Sequence, residues 1–275
     1  MDIKLLITDL DDTLISETSG VTDRAKSTIA KVKGKGIKVA IATGRMHSSA
    51  FPYAKELNVV EPITSFNGAL VKHVNSDDVI LHAPVDYNYA IEVLDFAKEV
   101  DKYIQYYSKE HYYVYEHCKD SDLYGYRTGT RAIEIKKDIR KTLDFDPTKL
   151  LMICKHEEAE EIYNIAVKRF ENKLNITRSS DTYIEFNNIN ASKGAACKAL
   201  AEYYGFKLEN IMSIGNGGND VDMIQKCGFG VAVENAVPEA KNAADFICPP
   251  QVEDGAVIAM EQFLLNRWSF DEKML

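Results

Sequence analysis

Short apolar segments alternate with amphipathic segments at both ends of this 275-residue chain. "IKLLITDL" (3–10) and "IKVAIATGR" (37–45) have the length and composition of strands buried on both faces. Between them, "VTDRAKSTIAKVKGKG" (21–36) has a capping candidate at Thr22, apolar residues at helical spacing and terminal glycines. Strands separated by helices predict an α/β fold with a doubly wound parallel sheet.

The middle of the chain has a different character. Ten of the fifteen tyrosines lie between Tyr87 and Tyr126, and their alternation predicts an antiparallel strand pair with Lys109 and Glu110 in the turn. "EEAEEIYNIAVKRFENK" (157–173) predicts an amphipathic helix, and "DTYIEFNNI" predicts a further strand.

After Ser192 the alternation of strands and helices returns, with "IMSIGN" and "GFGVAVEN" as buried strands. We therefore predict an α/β core formed by residues 1–83 and 186–275. The intervening residues 84–185 are predicted to form an inserted α+β domain.

Composition limits the class of function. The formal net charge of −9 argues against nucleic-acid binding through a general positive field. No apolar stretch approaches the roughly 20 residues that cross a bilayer, and no basic leader precedes an apolar core, so we expect neither membrane insertion nor secretion. The five cysteines are widely spaced without a CxxC pair, which favours a reducing cytoplasm. The sequence leaves monomer and homodimer open.

Polar residues follow the buried strands at four points, and ligands of open parallel sheets sit beyond these carboxyl ends. The first point is "DLDDT", where Asp9 and Asp11 lie on one face of extended chain. Two carboxylates near one metal can act as nucleophile and as acid and base. A polar turn with aspartate caps is the alternative.

The second and third points are "ATGR" (42–45) and Lys193 in "NASKGAA". The Thr43 hydroxyl and backbone N–H groups at a helix start suit a phosphate oxygen, although a simple cap and turn is the alternative. Lys193 stands at a helix start, where the helix dipole disfavours a cation. It therefore calls for an anion such as phosphate or ionised Asp9, with a solvated surface lysine as the alternative.

The fourth point is "GNGGND" (215–220), where glycines let the backbone approach a ligand closely. Asn219 and Asp220 begin the helix that follows. The glycine spacing does not match G-x-G-x-x-G, and no G-x-x-x-x-G-K-[ST] occurs. These mismatches argue against a dinucleotide fingerprint and an ATP-binding P-loop.

In this order, each at a strand end, the four segments resemble the four motifs of the haloacid dehalogenase superfamily. An α+β insertion of this size between the second and third motifs is similar to that of the Cof-type phosphatases. The resemblance covers essentially the whole chain, including "NGA" (67–69) and "ADFICPPQVEDGAV" (244–257). It implies a haloacid dehalogenase-like core and a cap domain that closes over the substrate, excludes water and selects the leaving group.

The resemblance implies roles for both aspartates of the first motif. Asp9 attacks phosphorus and forms an aspartyl-phosphate, while Asp11 protonates the departing alkoxide and then activates water. A sugar alkoxide is a poor leaving group and profits from a placed acid, so Asp11 favours a phosphomonoester substrate.

The resemblance also implies a binding site for Mg²⁺ and phosphate. The implied phosphate-binding residues are Thr43, Gly44, Lys193 and Asn219. The implied ligands of Mg²⁺ are the Asp9 carboxylate, the Asp11 backbone carbonyl and the side chain at position 216. Asp220 is expected behind them, orienting ligands or Lys193. Arg45 and Asn67 are candidates for contact with the substrate.

Two positions depart from the pattern of the family. Asp12 stands where glycine is frequent, at a turn position that aspartate tolerates. Asn216 stands where an aspartate ligand is usual, so its amide oxygen can still coordinate Mg²⁺ but one negative charge is lost. We expect a weaker magnesium site.

The leading hypothesis is a magnesium-dependent phosphatase of small phosphorylated metabolites, with sugar phosphates favoured. Asn216 motivates the alternative of a catalytically attenuated protein that binds a phosphometabolite. Transfer of phosphate to a second sugar hydroxyl is a further alternative. Tyr106, Tyr112 and Tyr115 are either stacking surfaces for a sugar or ring, or cover for one face of a sheet.

Overall fold

The computed structural model describes residues 1–16, 20–108, 110–136 and 145–265. The strands are β1 Leu5–Thr8, β2 Lys38–Ile41, β3 Ile63–Ser65, β4 Leu70–Lys72, β5 Val79–His82, β6 Tyr103–Ser108, β7 His111–Val114, β8 Ile133–Glu134, β9 Lys149–Ile153, β10 Leu174–Ser180, β11 Tyr183–Asn188, β12 Ile211–Gly215, β13 Phe229–Val233 and β14 Phe246–Cys248. The helices are α1 Asp23–Gly34, α2 His47–Glu56, α3 Tyr87–Glu99, α4 Lys119–Thr128, α5 His156–Arg169, α6 Lys193–Tyr204, α7 Val221–Lys226, α8 Pro238–Ala243 and α9 Gly255–Met260. None of these helices combines the length and apolar composition needed to span a bilayer.

A five-stranded parallel sheet joins the two ends of the chain. Its strand order is β14-β13-β12-β1-β2, and Leu5 pairs with both Ile211 and Lys38. The strand residues Leu5, Leu6 and Ile7 are fully buried, because helices cover both faces of such a sheet. Thr22 caps α1 as predicted, accepting a hydrogen bond from the backbone N–H of the third residue along the helix. The predicted α/β class with a parallel sheet is confirmed.

Strand β3 belongs to a second, three-stranded sheet of order β3-β4-β5. It adjoins the parallel sheet through a bridge between Ala42 and Thr64. The turn follows at Asn67 and Gly68, which have φ values of 55° and 94°. A side chain at Gly68 would collide with the Ser192 carbonyl, so only glycine lets this turn pack against the start of α6.

A six-stranded sheet of order β10-β11-β9-β6-β7-β8 is built from the middle of the chain. Residues of its strands alternate between two faces. On one face, residues such as Leu150 and Phe186 join an apolar cluster with α3 and α5. On the other face, Lys149 and Glu185 point toward the loops of the parallel sheet. Strand β11 continues past residue 185, and the domain limits given above stay a prediction.

The predicted strand pair of the tyrosine-rich segment is β6 and β7, with Tyr106 opposite Tyr113. Lys109 of the predicted turn lies outside the described residues. Tyr106 is buried in the helix-facing cluster and Tyr112 in the cluster on the opposite face, whereas Tyr115 is exposed. The packing of Tyr106 and Tyr112 favours the interpretation that these rings cover the faces of a sheet.

Candidate functional site

The centre of the site is a lysine between two carboxylates. Asp9 follows β1, Lys193 begins α6 and Asp220 follows β12. The Lys193 ammonium donates to Asp9 Oδ1 at 2.8 Å and to Asp220 Oδ1 at 2.5 Å. Lys193 and Asp220 are fully buried and Asp9 nearly so. The surface-lysine alternative is therefore wrong, because two carboxylates compensate the cation at the helix start.

Burial and like charge act on this cluster together. Burial and, to a lesser extent, the Asp220 carboxylate together raise the pKa of Asp9 to about 8, against the opposing effect of Lys193. Burial by itself would lower the pKa of Lys193, but Asp220 and Asp9 outweigh it and hold this pKa above its ordinary value. The lysine is thus a permanent buried cation beside a carboxyl group whose charge depends on its surroundings.

The glycine-rich loop after β12 is organised by Asp220. Its Oδ2 accepts hydrogen bonds from the backbone N–H groups of Asn216 at 2.9 Å and Gly217 at 2.8 Å. A Cβ at Gly215 would lie 2.5 Å from the Asp220 Cβ, so the close approach of strand and carboxylate requires glycine. The Asn216 Oδ1 accepts from the Thr13 hydroxyl at 2.9 Å. Thr13 was not predicted, and it links the first motif to the fourth.

Asp11 is held by an arginine from the second motif. Arg45 donates to both Asp11 carboxylate oxygens, from Nε at 2.8 Å and from Nη2 at 2.7 Å. The Arg45 guanidinium also lies 4.9 Å from the Tyr53 ring centre. Such a two-point contact fixes the orientation of a carboxylate more closely than a single bond. The Thr43 hydroxyl is buried and accepts a hydrogen bond from the Arg45 backbone N–H at 3.2 Å.

A second polar cluster connects the fourth motif to the six-stranded sheet. Asn219 Nδ2 donates to Asn67 Oδ1 at 2.9 Å, and Asn67 Nδ2 donates to Glu185 Oε2 at 2.5 Å. Glu185 Oε1 pairs with the Lys149 ammonium at 2.6 Å, and this ammonium also donates to the Gly44 carbonyl at 3.1 Å. Sequence reasoning missed Lys149 and Glu185. The signal available was a charged residue inside each of two otherwise apolar strand segments.

The predicted residues therefore lie together at one edge of the parallel sheet. The hydrogen-bonded set comprises Asp9, Asp11, Thr43, Gly44, Arg45, Asn67, Lys193, Asn216, Asn219 and Asp220. The roles given to these residues above are taken up as proposals below.

The oxygen atoms at this edge suit a hard cation such as Mg²⁺. Carboxylate, carbonyl and amide oxygens are its usual protein ligands. Asp9 offers a carboxylate, Asp11 a backbone carbonyl and Asn216 a side-chain amide. Within the described residues, Asp9 Oδ2 accepts no hydrogen bond, so one carboxylate oxygen remains available. Also within them, no three acidic, histidine or cysteine side chains form a metal-binding group. The donors fit Mg²⁺ and carry a single negative charge, that of Asp9, which is one fewer than with an aspartate at position 216.

A parallel sheet with aspartates, a buried lysine and amides at its carboxyl edge defines an α/β enzyme whose site lies at the strand ends. A family model described as haloacid dehalogenase-like hydrolase matches residues 6–260. The chain belongs to this family, and the predicted resemblance and hydrolase class are confirmed.

Relatives of the chain cover almost its whole length. The Bacillus subtilis protein YcsE, named 5-amino-6-(5-phospho-D-ribitylamino)uracil phosphatase, is 29% identical over 96% of this chain and 97% of its own length. Phosphatase YwpJ of the same organism is 25% identical over 95% of this chain and all of its own. The solved structure of BT1666 from Bacteroides thetaiotaomicron, described among the phosphatases of the haloalkanoate (HAD) enzyme superfamily, matches this chain with a TM-score of 0.80. It is 27% identical and covers 95% of either chain.

Proposed function

We propose that the chain is a magnesium-dependent phosphatase that hydrolyses small phosphorylated metabolites through an aspartyl-phosphate on Asp9. The observation that carries this proposal is the pairing of nearly buried Asp9 with the buried Lys193 cation at the end of β1. A carboxylate nucleophile must approach an anionic phosphoryl group, and such a reaction depends on fixed positive charge at the site.

The residues divide the chemistry between them. One carboxylate oxygen of Asp9 forms a bond to phosphorus as the bond from phosphorus to the leaving oxygen breaks, and Asp11 supplies the proton that the leaving oxygen takes up. Asp11 then accepts a proton from water, which attacks phosphorus and releases the Asp9 carboxylate. Arg45 binds both oxygens of the ionised Asp11 carboxylate and so orients the form that accepts a proton from water in the second step. Thr43, with the backbone at Gly44, binds phosphoryl oxygens.

Lys193 and Asn219 bind the remaining phosphoryl oxygens, while Asp220 fixes Lys193 and the loop that carries Asn216. Magnesium, held by Asp9, the Asp11 backbone carbonyl and Asn216, neutralises negative charge on the phosphoryl group when bound.

Sugar phosphates and related polyol phosphates are the favoured substrates. YcsE is named for a phosphoribityl compound, in which the phosphate is carried by a sugar-derived chain. In the proposed enzyme, the segment 84–185 acts as the cap that selects the leaving group and excludes water. The cytoplasmic location and the choice between monomer and homodimer stay predictions.

The proposal is tested by measuring phosphate release from a panel of sugar phosphates, nucleotides, FMN and pyridoxal phosphate. Release with water as the acceptor supports a phosphatase. Product that appears only with a second sugar as acceptor would instead support a phosphotransferase. Saturable binding of a panel member without turnover would favour an attenuated binding protein.

The metal site can be tested by adding one negative charge at position 216. We expect Asn216→Asp to lower the magnesium concentration for half-maximal activity by about tenfold. Unit charges about 4 Å apart interact by roughly 4 kcal/mol at an effective dielectric constant of about 20, and the desolvation of the new carboxylate offsets much of this gain. Asn190→Asp, the same change at an exposed loop position, is the matched control and should leave the magnesium dependence unchanged. An unaltered magnesium dependence in Asn216→Asp would remove position 216 from the metal site.

Asp11 is expected to matter most for poor leaving groups. In Asp11→Asn, turnover of a sugar phosphate should fall by about 100-fold or more, because the alkoxide leaves without a proton. p-Nitrophenyl phosphate needs no acid, so its first turnover should persist as a burst of p-nitrophenolate equal to the enzyme concentration. Equal losses for both substrates, without a burst, would contradict the acid role of Asp11.

A further inference from the structure

The Lys149–Glu185 pair is the most deeply buried ion pair outside the Asp9 cluster among the described residues. Both side chains are 2% exposed, and the ammonium lies 2.6 Å from Glu185 Oε1. Their neighbours Leu150 and Phe186 face the helices on the other side of the sheet, so strand alternation directs the charged pair toward the parallel sheet. A buried ion pair is costly unless further hydrogen bonds satisfy it.

Those further hydrogen bonds come from the loops that carry the second motif and the NGA turn. Lys149 donates to the Gly44 carbonyl, and Glu185 Oε2 accepts from Asn67 Nδ2. Thr177 adds a weaker contact to the same Glu185 oxygen at 3.4 Å. The pair is therefore fully partnered only when the six-stranded sheet lies against these loops.

The chemistry of Glu185 sets the direction of the amide chain beyond it. A carboxylate only accepts hydrogen bonds, so Asn67 must turn its NH₂ group toward Glu185 and its oxygen away. The Asn67 oxygen then accepts from Asn219 Nδ2, so Asn219 must also turn its NH₂ group inward. Among the described residues, the second N–H of the Asn219 amide has no protein acceptor, so with this orientation fixed it can serve an anion.

We propose that Glu185, held by Lys149, is a positioning residue that orients Asn219 through Asn67 for binding of the phosphoryl group. The inference rests on the proposed function, since it assumes phosphate at the Asn219 amide. Lys149 contributes in two ways: it compensates the Glu185 charge, and its bond to the Gly44 carbonyl holds the second-motif loop. Neither residue touches the substrate in this scheme.

The test measures binding of inorganic phosphate by calorimetry, at saturating magnesium, to the full-length protein. We expect Glu185→Gln to weaken phosphate binding by about tenfold, because glutamine can donate as well as accept and no longer fixes the direction of Asn67. Glu160→Gln removes the charge of another paired glutamate, on α5, and should bind phosphate like the native protein. Phosphate binding by Glu185→Gln equal to that of the native protein would overturn the inference.

A double-mutant cycle separates positioning from a general structural effect. Asn219→Ala deletes the amide that Glu185 is proposed to orient, so adding Glu185→Gln should weaken phosphate binding no further. Effects that multiply in the double variant would show that Glu185 acts elsewhere, against the inference.

A neutral variant covers the case in which Glu185→Gln does not fold. Lys149→Met combined with Glu185→Gln leaves no buried charge without a partner, so the fold is expected to survive. It lacks both the carboxylate and the bond from Lys149 to the Gly44 carbonyl, so we expect phosphate binding to weaken at least as much as in Glu185→Gln. Native-like binding by this folded variant overturns the inference. If the native protein itself binds no phosphate, the proposed function falls and the inference falls with it.

Discussion

Replacement of Asp9 by asparagine is expected to reduce phosphate release by about 10⁴-fold or more while the protein stays folded. Asparagine has the shape of aspartate but is not a competent nucleophile, and loss of a nucleophile typically costs several orders of magnitude in kcat. The fold should survive because Lys193 keeps its bond to Asp220, and the repulsion between the two carboxylates is removed. Phosphate release and thermal unfolding measure the two effects.

Asp12→Asn is the matched control for this change. Asp12 lies in the same turn with φ 55°, a conformation that asparagine tolerates as well as aspartate. It should retain turnover, because Asp12 has no role in the proposed reaction. Phosphate release at the native rate by Asp9→Asn would assign the nucleophile to another residue.

Replacement of Lys193 by methionine is expected to abolish phosphate release and to lower the free energy of unfolding by about 3 kcal/mol or more. Methionine fills a similar volume but leaves the Asp9 and Asp220 carboxylates buried without their cation. Removing one partner of a buried charged set typically costs about 3–5 kcal/mol. Protonation of Asp9 reduces this cost, since burial and Asp220 already raise its pKa to about 8.

Lys198→Met serves as the control on the same helix. Its ammonium lies 3.9 Å from Glu202 and both side chains are 69% exposed, so its loss should change stability by roughly 0.5 kcal/mol or less. Denaturant unfolding of both variants checks the difference. Equal stability of the Lys193 and Lys198 variants would contradict the compensating role of Lys193.

Much of the parallel core follows from local sequence. The segment "IMSIGN" was predicted as a strand and forms β12 (Ile211–Gly215), because an uninterrupted apolar run is buried on both faces of a parallel sheet. The convergence of the motifs was also predictable, since parallel strands place their carboxyl ends at one edge. The helix predicted over 157–173 ends earlier, at Arg169.

The contacts that organise the site could not be predicted in the same way. The bond between Arg45 and Asp11 depends on where two loops meet, and strand periodicity carries no information about loop conformation. Glu185 reaches Asn67 only through the register of the six-stranded sheet and its position over the NGA turn. A slip of one residue in that register would turn Glu185 to the opposite face.

Titration of the native protein with magnesium, followed by phosphate release from a sugar phosphate panel, tests the proposed function most directly. We predict that release from at least one panel member rises with magnesium and saturates, which would show that an amide at position 216 supports catalysis. Release by Asn216→Asp alone, with a silent native protein at every magnesium concentration, would contradict the proposal and make the native chain a binding protein.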